Sequence, residues 1–112
     1  MDLVEWAEHQ FKLNKPDQNG IPERDHLEQV YKQTGRMPKG LEEPVKFPIL
    51  LSHVWSAFLR LNSSRSIGFS GPNAITYLDI KAFMEVTDTP LSAKDVDAIK
   101  ELDNTYMRVQ YG

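Results

Sequence analysis

Phe47-Pro48-Ile49-Leu50-Leu51-Ser52-His53-Val54-Trp55-Ser56-Ala57-Phe58-Leu59-Arg60-Leu61 is the stretch on which the fold turns. A helix that crosses a bilayer needs ~20 apolar residues, and Ser52, His53, Ser56 and Arg60 interrupt this one. The block is too apolar to leave in water. It therefore predicts a buried central helix with the domain built around it. The same block opens a segment, Phe47 to Leu78, without a single Asp or Glu, in a chain that carries sixteen. Behind it follows a polar loop, Asn62-Ser63-Ser64-Arg65-Ser66-Ile67-Gly68-Phe69-Ser70-Gly71-Pro72-Asn73. Loops held on a rigid scaffold are where recognition concentrates, so this loop is the first place to look for function.

At 112 residues the chain has the size of one domain and can bury a core without a metal or disulfide. It has no cysteine, which removes thiolate chemistry and Cys-bound zinc. The first residues, Met1-Asp2-Leu3-Val4-Glu5-Trp6, lack the cationic start and apolar run of a signal peptide, and a cytoplasmic protein is expected. The net charge is −3, and Lys and Arg are scattered rather than banded. Neither nucleic acid nor a membrane is an expected partner.

Outward from the central block, helical periodicity dominates. Leu3, Val4, Ala7 and Phe11 mark a first helix over 1–15, with Trp6 beside the stripe. Pro22, Glu23 and Asp25 open a second, whose stripe is Leu27, Val30 and Tyr31 and whose left-handed cap is Gly35. Gly35, Pro38, Gly40, Pro44 and Pro48 make 35–48 a linker. The organisation is an N-terminal helical pair over 1–34, the linker, and a helical core over 49–112, all in one globular domain. Two capping boxes open the last helices, Thr76 with Asp79 and Ser92 with Asp95. Ile80, Phe83 and Met84 point inward from one, and Val96, Ile99, Leu102, Tyr106 and Val109 from the other. The expected fold is a small all-α orthogonal domain of about five helices around the central one, with Trp55, Phe58, Tyr77 and Tyr106 as structural aromatics and no strand pairing of consequence.

No motif identifies a chemistry. His9, His26 and His53 lie at no ligand spacing. Asp17, Asn19 and Gly20 hint at a calcium loop, but its register puts Lys15 and His26 where acidic ligands are required. Gly68-Phe69-Ser70-Gly71 lacks the second glycine of a nucleophile elbow. No catalytic residue, metal site or cofactor is expected. Asp103 sits on or beside the apolar face of the last helix, and a buried carboxylate wants a partner. Arg65, from the acid-free segment, is the natural one. A small anion-binding or enzymatic module built on Arg65, the serines and Asp103 is a further reading. Phe69 stands alone among small polar residues and suits a partner contact. Arg65, Ile67, Phe69 and Trp6 are the candidate partner-binding residues.

The order of residues resembles the small tail assembly chaperones and related minor tail proteins of long-tailed, non-contractile bacteriophages. The resemblance rests on His53 to Leu61, Arg65, Gly68, Gly71-Pro72-Asn73-Ala74-Ile75-Thr76-Tyr77, Ile80 and Leu102-Asp103-Asn104-Thr105-Tyr106-Met107. Glu23 to Glu28 and Thr34-Gly35-Arg36-Met37-Pro38 extend it upstream. It implies a helical, non-enzymatic protein of the host bacterial cytoplasm. Such a protein binds the tape-measure protein and helps recruit tail-tube subunits, or, as a minor tail or tail-completion subunit, stays in the virion. Self-association is compatible with either role.

Overall fold

The computed structural model describes residues 2–112. The elements run α1 (Asp2–Asn14), α2 (Glu23–Thr34), a 3-10 turn (Lys39–Leu41), a second 3-10 turn (Ile49–Leu51), α3 (Ser52–Ser63), β1 (Ile67–Gly68), β2 (Gly71–Pro72), α4 (Tyr77–Val86) and α5 (Ala93–Tyr111). The fold is all-α, as the periodicities predict. The strands form one small antiparallel hairpin, pairing Ile67 with Pro72 and Gly68 with Gly71.

The core forms where the apolar stripes meet. Val54, Ala57, Phe58 and Leu61 repeat at three and four residues, so α3 turns one continuous face inward. Leu3, Ala7 and Phe11 do the same for α1, and Ala98, Ile99 and Leu102 for α5. α1 lies mainly along α5, and α3 packs on α5 and α4. Ile75 and Ile80 close the cluster. Phe11 sits among Trp55, Phe58 and Tyr106, with ring centroids 5.8, 5.7 and 5.2 Å away. Edge and tilted contacts at such distances suit the ring quadrupoles.

Both capping boxes are present. Thr76 Oγ1 accepts from the Asp79 N–H at 3.0 Å, and the Thr76 N–H donates to Asp79 Oδ2 at 2.8 Å. Ser92 and Asp95 repeat the arrangement at 3.1 and 3.0 Å. Gly35 ends α2 at φ 71°, its N–H bonded to Tyr31 O.

Two expectations need correction. The apolar block is not buried throughout: Ile49 and Leu50 are exposed, Leu50 at 91 %. They belong to the second 3-10 turn, whose three-residue period does not carry α3's inner stripe backward. Tyr77 is not core. It is the first residue of α4, 63 % exposed, with Lys100 Nζ 4.9 Å from its ring centre.

Candidate partner-binding surface

The loop between α3 and α4 is fastened from below. Arg65 Nη2 donates to Asp103 Oδ1 at 2.5 Å, and these side chains are only 7 % and 1 % exposed. Asp103 Oδ2 accepts the Ile75 N–H at 2.8 Å. The guanidinium also donates to Asn62 Oδ1 at 3.0 Å and to Asn73 O at 2.9 Å. Its carbon lies 4.9 Å over the Tyr106 ring. One buried ion pair thus holds the start of the loop, its end, and α5. Each buried charge is paired and further hydrogen-bonded, the condition under which charges are tolerated away from water.

Above this anchor the chain rises into the hairpin. Asn73 N donates to Ser66 O at 2.9 Å, and Asn73 Nδ2 to Ser66 Oγ at 3.1 Å. Gly68 leaves room for that amide, because a Cβ there would meet Asn73 Oδ1 at 2.8 Å. Gly71 takes the turn's positive φ of 114°, so Phe69 and Ser70 keep ordinary backbone angles. The outcome is a short, pinned turn with Phe69 at its tip, wholly exposed at 109 %, and Ile67 exposed beside it. A free aromatic ring on an anchored turn can enter a partner's pocket without first ordering a long loop.

The structure separates the four candidate residues. Ile67 and Phe69 share the exposed hairpin. Arg65 lies beneath them as their anchor and presents no free charge. Trp6 is packed inward, its ring 4.7 Å from Phe47 and 5.1 Å from Trp55. Trp55 and Tyr106 line the aromatic cluster partly buried, Phe58 fully so. Asp103 has both oxygens engaged. Arg65 and Asp103 are thus engaged with each other and with the backbone and side chains of the loop. Among the described residues no three His, Asp or Glu groups converge as a metal site would require. No described helix is long and apolar enough to cross a membrane.

A second surface escaped the sequence reading. Leu78, Ala82 and Val86 repeat every four residues on the outside of α4 and are exposed. Beside them runs an open groove of about 440 Å³ between α3 and α4. The signal was present as a second four-residue stripe on α4, alongside the inner one of Ile80, Phe83 and Met84.

The structure is thus a small all-α domain that displays an exposed aromatic on an anchored hairpin. Over residues 30–108 the chain matches the family described as phage tail assembly chaperone. The match runs from within α2 to near the end of α5 and covers most of the chain, and the protein belongs to that family. Tail assembly chaperones are a non-catalytic kind of protein. No curated protein and no solved structure matches the chain.

Proposed function

We propose that this chain acts by binding, without catalysis, while a phage tail is assembled in the host bacterial cytoplasm. Its partners in this reading are the tail-tube subunit, the tape-measure protein, or both, and the hairpin tip is part of the surface that meets them. The observation that carries the reading is Phe69: fully exposed, apolar, and held by an anchor that reaches α5. An aromatic side chain seated in a partner's pocket is worth ~2 kcal/mol or more, about thirtyfold in affinity. Phe69→Ala should leave thermal stability unchanged, because the ring touches no core. It should sharply reduce co-purification with the tube and tape-measure proteins. Unchanged co-purification, or a lost fold, would remove the hairpin from the interface.

A further inference from the structure

We infer that residues 36–47 form a strap over α1 that is poised to open, and that its opening uncovers the indole of Trp6. The device is separate from the hairpin and does not depend on it. It accounts for two polar atoms that the closed fold leaves without a bond.

The strap is loosely built. Gly35 and Pro48 bound it, Pro38, Gly40 and Pro44 interrupt it, and its regular structure is the 3-10 turn Lys39–Leu41. Its backbone hydrogen bonds close on itself, from the Leu41 N–H to Pro38 O at 3.0 Å and from the Glu42 N–H to Lys39 O at 3.1 Å. Arg36, Lys39, Glu42, Glu43 and Lys46 enter none of the ion pairs among the described residues. On α1 the strap is held by His9, whose Nε2 donates to Gly40 O at 2.8 Å. It is also held by Trp6, which meets the Phe47 ring edge-on with centroids 4.7 Å apart. Leu27 presses on Gly40 from α2, where an added Cβ would meet its Cδ1 at 2.7 Å, but α2 has no buried residue of its own. A segment with so few buried contacts opens below the free energy of global unfolding.

The surface beneath the strap carries a penalty. Trp6 Nε1 and His9 Nδ1 are both shut off from solvent, and among the described residues neither has a hydrogen-bond partner. They belong to the two α1 residues that the strap touches. A carbonyl only accepts, so His9 Nε2 carries the hydrogen in its bond to Gly40 O. In the neutral ring Nδ1 is then a bare acceptor, whereas the indole nitrogen only donates. The closed strap therefore keeps one donor and one acceptor from water. A buried polar group left unpaired favours the state that hydrates it, by about tenfold for each atom. The aromatic contacts act the other way, since Phe47 and Trp55, 4.7 and 5.1 Å from Trp6, hold the indole in place. Lifting the strap removes the Phe47 wall and leaves Trp55 with α3. The strap is thus a two-position element: closed, with Trp6 withheld, and open, with one face of its ring and its N–H in water.

Native-state hydrogen exchange of the full chain, followed by NMR, tests the device. Trp6 and Trp55 are the chain's two tryptophans, so two indole N–H signals are expected, and Trp6→Phe assigns them. Protection is taken for each group against its own free exchange rate. The Trp6 indole should match the Leu41 and Glu42 amides and lie roughly tenfold or more below the Ile99 and Leu102 amides of α5. Ile99 is fully buried, and Ile99→Val trims the core far from the strap without unfolding it. That variant should lower the protection of the α5 amides about fivefold and leave the Trp6 indole, Leu41 and Glu42 unchanged, because their exchange does not pass through global unfolding. Trp6→Phe removes the unpaired N–H while keeping a ring against Phe47, and should leave Leu41 and Glu42 at least as protected as in the parent. The inference is overturned if the Trp6 indole is as protected as α5, or if Ile99→Val lowers it together with α5. A fall in the protection of Leu41 and Glu42 in Trp6→Phe would equally overturn it, since the closed strap would then carry no penalty at that atom.

Discussion

Asp103 is the residue on which the loop depends, because both its oxygens are spent, one on Arg65 and one on the Ile75 N–H. Replacing it with Asn would leave the Arg65 guanidinium buried and without a counter-charge. Breaking such a pair costs ~3–5 kcal/mol, whereas an exposed pair is worth ~1 kcal/mol or less. Asp103→Asn should therefore lower the urea midpoint by an amount equivalent to several kcal/mol. A loss of only a few tenths would mean that water screens the pair, and the anchor described here would be wrong. This pair was legible in advance for a physical reason. A carboxylate on an apolar stripe must find a cation, and the acid-free segment offers few. Tyr77 was misread for an equally physical reason. Three residues before Ile80, it has the spacing to share the inner face. As the first residue of its helix, however, it lies at an end that solvent reaches, and Lys100 covers its ring instead of the core.

At the scale of elements, local chemistry was the most legible layer. Both capping boxes stand where the residue types place them, since the hydroxyl and the carboxylate need only their own backbone to act. Ser92→Ala should cost ~1 kcal/mol by removing one such acceptor from α5. The same cap predicts a pH response. Burial pushes the Asp95 carboxyl upward, but the Ser92 N–H and the His53 side chain outweigh it, and the net shift is downward. A carboxylate held below its unfolded value, ~3.9, stabilises the fold above that pH. The contribution is lost as pH falls through the lowered folded value. Asp95→Asn should therefore destabilise the protein at neutral pH and flatten the dependence of the melting temperature below about pH 4. An acid limb identical to that of the parent would show that Asp95 is not preferentially ionised in the fold. What local chemistry did not reveal is the start of the central helix. Pro48 leads into a 3-10 turn, so Ile49 and Leu50 leave the stripe that Val54 begins.

At the scale of the molecule, the placement of α1 and α2 depends on packing that no local motif encodes. Both read as weakly apolar helices of one N-terminal pair, yet they contribute unequally. α1 sends Leu3, Ala7 and Phe11 into the core and lies along α5, while α2 has no buried residue. α2 is held by peripheral contacts: Arg24 to Gln10 and Asn14, and Leu27 against Gly40. The shape reflects this, with extents of 49 × 36 × 21 Å and a radius of gyration of 15.8 Å, against about 13 Å for a compact domain of this length. Regions with few buried apolar contacts open below the global unfolding free energy. Amide hydrogen exchange should therefore show α2 and the linker exchanging through local opening, while α1 and α5 exchange only through global unfolding. The difference should persist in Tyr31→Ala, because a half-exposed ring on α2 adds little to the core. If α2 amides were protected to the same free energy as those of α5, α2 would be part of the cooperative unit, and its lack of buried residues would be no guide to its stability.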